Sequence, residues 1–337
     1  MAEIFSFSFD AVMPILLLVL VGYLLKCLKF ADDAFFKKLN KMVFRVFLPI
    51  LLYYNIYEIE SLGLVRWSVI GYCVVAILLI CLCGYAVTKL FFKKRENIGV
   101  LTQCSFRSNY AIIGIPLAES LGGAEAVAFA SILSAVSIPL FNTLAVVILS
   151  HYSPENKNSS LKHTVKTTLT NPLIIGVLLG VLTVAVRGII PTDELRVPVF
   201  TIENNLPFVY DAISKLAKVA SPVALVVLGA RFDFKAIGAL RKEITSGVLM
   251  RLVFAPLVGI GFAVLLSEYT TIISVTSVEF PALISLFSTP VAVSSAVMTG
   301  EIGGNEQLAG QLVVWTSIFS MLSMFIIIFV MKNFAFI

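Results

Sequence analysis

The chain has 337 residues, 59% of them hydrophobic and 13% charged, with a mean hydropathy of +0.98 and a formal net charge of +5. Soluble domains carry about 45–50% apolar and about 25% charged residues, so a soluble globular protein is excluded, as is a disordered chain. The Lys and Arg residues lie in short clusters between apolar runs with no basic face for phosphates, which excludes nucleic acid as a partner.

A helix needs about 20 mostly apolar residues to cross the hydrocarbon core of a bilayer. Ten stretches qualify: 11–28, 42–57, 67–92, 98–121, 125–150, 170–190, 206–230, 246–266, 280–300 and 308–331. The first is preceded by Glu3 and Asp10 and followed by Lys26 and Lys29, the reverse of a cleaved signal peptide, and reads as a membrane helix. The second opens near Arg45 and closes on Tyr53, Tyr54 and Asn55, the composition of an interfacial aromatic belt. The third carries a long charge-free run. The fourth contains Arg107, Ser108, Asn109, Gly114 and Pro116, and the fifth Asn142, which either faces a cavity or bridges helices. A polar, Ser/Asn-rich linker follows at 151–168. In the seventh, Asp211 and Lys215 are spaced to pair on one helix face. The eighth begins close to Arg251, placed to snorkel or to pair with a nearby loop. The ninth contains Pro290, Ser294 and Ser295.

The five cysteines sit in or beside apolar runs and read as small buried hydrophobes, not as a disulfide framework. The two histidines, His151 and His163, both fall in the linker, so no histidine metal site or Ser-His-Asp triad lies within the spans. No Asp or Glu falls near the middle of a span, and no nucleotide-binding motif is present. These absences argue against an enzyme, and no cofactor is implied.

Lys26, Lys29, Lys37, Lys38, Lys41, Lys89, Lys93, Lys94, Arg95, Arg231, Lys235, Arg241 and Lys242, with the linker lysines, fall on one side of the bilayer when the spans alternate. Basic loops stay cytoplasmic. The expectation is a multi-pass plasma- or inner-membrane protein with both termini outside. The linker separates two halves, 1–150 and 169–337, of five spans each. An odd number per half inverts the second copy, a common plan of secondary transporters. Pro14 to Gly22 recurs as Pro172 to Gly180, Pro49 as Pro222, and Gly122-Gly123-Ala124-Glu125 as Gly303-Gly304-Asn305-Glu306. The expected fold is thus all-α and polytopic, ten helices in two inverted five-helix repeats.

The fourth and ninth spans are interrupted at matching positions. Arg107, Asn109 and Pro116 are costly in lipid, and so is Pro290 with its flanking hydroxyl residues. Broken helices expose free N–H groups and a partial positive charge at their new N-termini. Two such ends meeting in one cavity suit an anion, typically a carboxylate. Arg107 would add a full charge, unless it only ties the helix to a carbonyl or reaches the interface.

The run from Asn109 to Gly114-Ile115-Pro116 resembles the Asn-x4-Gly-x-Pro signature of the auxin efflux carrier family, in its prokaryotic branch with a short linker. Pro290 with Glu301 and Gly303-Gly304, Pro49-Ile50-Leu51, and Pro222-Val223-Ala224-Leu225 with Gly229 resemble its ninth, second and seventh helices. The resemblance implies a fold similar to bile-acid symporters. Helices one, two, six and seven would form a scaffold that can dimerise. Helices three to five and eight to ten would form a moving transport unit. Family substrates are small organic anions, auxin in plants and malate- or malonate-like acids in bacteria. By motif position Asn109 would bind the substrate. Many prokaryotic members place Asn where this chain has Ser294, which leaves room for a different or bulkier anion.

The sequence is therefore read as a secondary transporter of a small organic anion working by alternating access in the lipid bilayer. Arg107, Ser108, Asn109, Asn142, Gly114, Pro116, Pro290, Ser294 and Ser295 form the candidate substrate site. The alternatives are a symporter coupled to sodium or protons and an anion sensor that does not transport.

Overall fold

The computed structural model describes residues 2–58, 66–153, 170–191, 199–270 and 273–337, with side chains from residue 13 onward except at 135. Among these residues the fold is all helical, and the only β-type contact is one isolated bridge. In chain order α1 is Ala2–Cys27, and α2 (Asp33–Met42) runs through a π turn, Val43–Phe47, into α3 (Leu48–Tyr57). Then come α4 (Trp67–Phe91), α5 (Arg95–Phe106), a π turn at Tyr110–Gly114 and α6 (Ile115–Tyr152). After the linker, most of which lies outside the described residues, come α7 (Pro172–Arg187), α8 (Ile202–Asn205), α9 (Pro207–Arg231) and α10 (Ala236–Ala239). α11 (Arg241–Leu249) continues through π turns Met250–Phe254 and Leu257–Gly261 into α12 (Phe262–Tyr269). The chain ends with α13 (Phe280–Ser288), α14 (Ser294–Ile302) and α15 (Glu306–Asn333).

Five helical runs are long and apolar enough to cross a membrane: Trp67–Phe91, Tyr110–Tyr152, Pro207–Arg231, Arg241–Tyr269 and Glu306–Asn333. Met13–Cys27 and Pro172–Arg187 are shorter apolar helices. The run Tyr110–Tyr152 is bent at Gly123, whose φ of 66° and ψ of −157° only glycine adopts at ease. That bend divides it where the fourth and fifth predicted spans meet. The second predicted span starts earlier than hydropathy suggests. Asp33–Met42 is amphipathic, exposing Lys37, Lys38 and Lys41 while burying Phe36 and Asn40.

α1 packs on α9, and α3 on α7. Both crossings need glycine because the backbones touch. A Cβ on Gly229 would lie 1.8 Å from the carbonyl oxygen of Val19, and one on Gly176 would lie 2.4 Å from that of Pro49. α4, α5, α6 and α11 to α15 pack among themselves around buried residues such as Leu101, Leu133, Phe287 and Leu312. The two groups meet along α1 against α15 and around the interrupted helices.

Candidate functional site

α5 stops at Phe106 because Arg107, with φ −82° and ψ 99°, leaves helical geometry. α13 stops at Ser288 because Thr289 is extended (φ −69°, ψ 153°), as a residue before proline tends to be. The two unwound segments lie antiparallel, bridged at Ser108 and Val291. Asn109 N–H donates to the Pro290 carbonyl at 2.8 Å, and Ala292 N–H to the Arg107 carbonyl at 3.2 Å. Val291 N–H donates to Thr316 Oγ1 at 3.1 Å. Away from water, unpaired backbone groups are costly, and each break here pairs the other. The first break is shorter than the spread of Arg107 to Pro116 in the sequence suggests. It spans only Arg107 to Asn109, and Pro116 sits just past the π turn, where α6 begins.

Arg251 completes this crossover. It is 0% exposed and donates to five carbonyls. Nε reaches Thr289 at 2.8 Å; Nη1 reaches Ser105 at 3.4 Å and Phe106 at 3.1 Å; Nη2 reaches Leu286 and Phe287, each at 3.1 Å. These carbonyls close the C-terminal ends of α5 and α13, where the helix dipoles are negative. Snorkelling to the interface does not occur.

Arg107 is 2% exposed and turns to the other side of the crossover. Nη2 donates to Asn142 Oδ1 at 2.6 Å and to Ser294 Oγ at 2.9 Å, and Nη1 lies 3.3 Å from Met298 Sδ. Asn142 is held in turn by its own amide on the Ile138 carbonyl, 2.8 Å away. The structure thus brings Arg107, Asn142 and Ser294 together. Beside them Ser108 Oγ and Asn109 Nδ2 are buried with no hydrogen-bond partner, and so is Ser295 Oγ. Buried polar groups are nearly always paired, and orphaned donors mark a place where a ligand or water completes the set.

A cavity of about 570 Å³, its open mouth included, lies against this face. Arg107, Ser108, Asn109, Asn142 and Ser294 line it. Gly114, Pro116, Pro290 and Ser295 do not. Gly114 instead lets the chain approach α13, where a Cβ would fall 3.2 Å from the Ser285 carbonyl oxygen. Pro290 supplies the paired carbonyl, and the Ser295 carbonyl receives Gln103 Nε2 at 3.3 Å. The opposite wall is apolar, with Leu48, Leu51 and Leu52 from α3, Phe141 from α6 and Leu173 from α7. Among the described lining residues Arg107 is the only charge.

Sequence reasoning missed Asn55 and Ser221, which line the same cavity. Asn55 had been grouped with an interfacial belt. The signal was available: Leu48, Leu51, Leu52 and Asn55 recur at helical spacing on one face. Tyr54 does meet Tyr210, at 3.3 Å between hydroxyls, and Lys215 pairs with Asp211 at 2.8 Å.

A second set of polar contacts lies at the end of the bundle where the basic loops gather. Arg231 of α9 pairs with Glu306 of α15, and lies 3.6 Å from Asp33 of α2. Asn40 Nδ2 donates to Glu301 Oε1 at 2.9 Å. The Asp33 carboxyl is held below its ordinary range, chiefly by its hydrogen bond from Lys37 and then by the charge of Arg231.

A family model described as membrane transport protein matches residues 7–328. An uncharacterized transporter of Methanothermobacter thermautotrophicus is 23% identical over 330 residues, spanning 95% of this chain and 97% of its own.

Proposed function

Since the chain belongs to the auxin efflux carrier family of membrane transport proteins and is a multi-pass membrane transporter, we propose that it carries a small organic monoanion across the bilayer by alternating access. One observation carries the reading. Arg107 is the sole charge among the described residues that line the cavity, and the unpaired Ser108 Oγ and Asn109 Nδ2 sit beside it. Empty, Arg107 rests on the neutral oxygens of Asn142 and Ser294. A carboxylate would replace these neutral acceptors with an opposite charge and a bidentate fit to the guanidinium. A second carboxylate would face Leu48, Leu51, Leu52, Phe141 and Leu173 with only the neutral side chains of Asn55 and Ser221 beside them, and burying a charge without a countercharge costs several kcal/mol. The substrate is therefore a monocarboxylate with an apolar body, rather than a dicarboxylate.

The architecture behind this reading is ten spans in two inverted repeats, 1–150 and 169–337, with both termini outside. Its support is the exchanged packing of the repeats: α1 packs on α9, and its counterpart α7 packs on α3, the counterpart of α9. α1, α2–α3, α7 and α9 would be the scaffold, and the remaining long helices the moving unit. Arg231 with Glu306, and Asn40 with Glu301, join these two groups and would hold one end closed.

The test is thermal unfolding of the purified protein with apolar monocarboxylates, dicarboxylates and the corresponding amides, with and without sodium, followed by flux into liposomes. A monocarboxylate at about 100 times its dissociation constant should add roughly 2.7 kcal/mol, while its amide adds nothing. Stabilisation by dicarboxylates alone would overturn the monoanion. Binding without flux would make the chain a sensor.

A further inference from the structure

A groove lies between α4 and α11, both of which pack on α5. Val87, Phe91, Leu249 and Met250 form its apolar wall. Phe91 is 76% exposed and Leu249 54%, and both continue the hydrocarbon-facing surface of helices long enough to span the bilayer. At its mouth the lining changes to Arg241, Lys242, Thr245 and Ser246. Lys93 and Lys94 follow directly on Phe92, which also lines the groove, and extend the basic collar.

The charges here are not balanced by protein acids. No described salt bridge involves Arg241, Lys242, Lys93 or Lys94. The acids near in sequence are Glu243, which accepts from the Asn97 amide at 3.1 Å, and Glu96, two negative charges against four positive ones, so the rim keeps a net positive charge. An exposed apolar channel with a net cationic rim at the end of two membrane-spanning helices is complementary to one kind of molecule, an anionic phospholipid. Neutral lipid would satisfy the wall and leave the rim unused. A soluble phosphate would satisfy the rim and leave Phe91 and Leu249 uncovered.

We propose that the groove between α4 and α11 is a binding site for an anionic phospholipid, with its phosphate against Arg241 and Lys242 and an acyl chain along Phe91 and Leu249. The lipid would seal the seam beside α5, whose far end carries Arg107 of the crossover. This site shares no residue with the cavity of the proposed substrate, so it stands or falls independently of that function.

The test uses the full chain, delipidated in neutral detergent. Retention of phosphatidylglycerol and of phosphatidylcholine with the same chains is measured by native mass spectrometry. The wild type should retain phosphatidylglycerol preferentially. Arg241→Gln with Lys242→Gln, both exposed positions, should weaken that retention about 25-fold, the product of two contacts of about fivefold each. Lys38→Gln with Lys41→Gln, an equal charge change on α2, should leave it intact. Glycerol phosphate, which lacks the acyl chain, should not displace the lipid. Equal loss in both double variants, unchanged retention in the first, or displacement by glycerol phosphate would each overturn the proposal.

Discussion

Replacing Arg251 with Met tests whether one guanidinium holds the two broken helices at their crossing. The side chains are similar in length, so the change removes the donors and the charge with little loss of volume. It strips partners from five carbonyls, those of Ser105, Phe106, Leu286, Phe287 and Thr289. A buried acceptor left unpaired costs about 1–3 kcal/mol. Simple addition overshoots, because the substitution also relieves the cost of burying a guanidinium and because carbonyls at frayed helix ends find local partners. A net loss of about 3–5 kcal/mol remains, the scale seen when a buried charged network is broken. At about 2 °C per kcal/mol for a chain of this size, the unfolding temperature in detergent falls by roughly 6–10 °C. Arg251→Lys should fall between, since an ammonium has three donors on one atom and cannot reach both helix ends. Cys104, fully buried one turn before the break, supplies a local reading. Its modification by a thiol reagent should speed up in Arg251→Met at temperatures where the chain remains folded. An unchanged unfolding temperature with unchanged Cys104 reactivity would refute the account of the crossover.

Asn109→Ala removes a donor that has no partner in the empty protein. Stability should hold or rise slightly, while affinity for a bound carboxylate drops by about 1.5–3 kcal/mol, roughly 10- to 150-fold by titration calorimetry. Arg107→Gln should weaken the same ligand at least as much, and retained affinity would place Arg107 in a purely structural role. Gly229→Ala should cost about 1–3 kcal/mol by forcing α9 away from α1, whereas Gly71→Ala, where nothing lies within 4 Å of the new methyl, should be neutral or slightly stabilising; thermal unfolding compares the two. Glu306→Gln leaves Arg231 only its longer contact with Asp33. Val297 lines the same crevice as Arg231 and Glu306, so a Val297→Cys probe should be labelled faster in that background, and equal rates would show that the pair does not hold this end shut.

Much of this molecule is legible in its sequence because lipid makes polar atoms conspicuous. Arg107, Asn109, Asn142 and the proline pair stand out against runs of Leu, Val and Ile, and of the nine residues they led to five line the cavity, while Pro290 and Ser295 offer backbone carbonyls to the surrounding pairing. Arg251 was visible as a charge but not as a role. Its partners are carbonyls, which every residue has, so no pairing pattern marks them. The extent of the first break is hidden in the sequence for a related reason. Pro116 announces a helix interruption, yet the chain unwinds at Arg107 to Asn109, where the pairing with Pro290 and Ala292 is available. A tertiary contact between segments some 180 residues apart decides where the helix ends, and local propensity cannot report it. Asn55 was hidden differently, by a neighbouring pair of tyrosines that gave it an adequate explanation as interface.

The pairing of the breaks also constrains how the site can move. Asn109 and Pro290, Ala292 and Arg107, and the two helix ends on Arg251 form three independent ties across a crossing only a few residues wide. Opening any one leaves a buried polar group unpaired, so the crossover shifts as a unit or not at all. The apolar wall of Leu48, Leu51 and Leu52 belongs to α3, which packs mainly on α7 and α9 rather than on the crossover helices. A contact between leucines and a rigid polar floor has no directional bonds to break. Sliding along that wall is therefore the low-cost motion, and deformation of the site is the expensive one. Among the described residues, the directional contacts between the helices of the two groups, Arg231 with Glu306, Asn40 with Glu301 and the Val297 carbonyl, and Gln307 with the Arg231 carbonyl, lie at one end. A carrier built this way would change its side of access by breaking those surface-facing pairs while the residues of the proposed anion site keep their geometry.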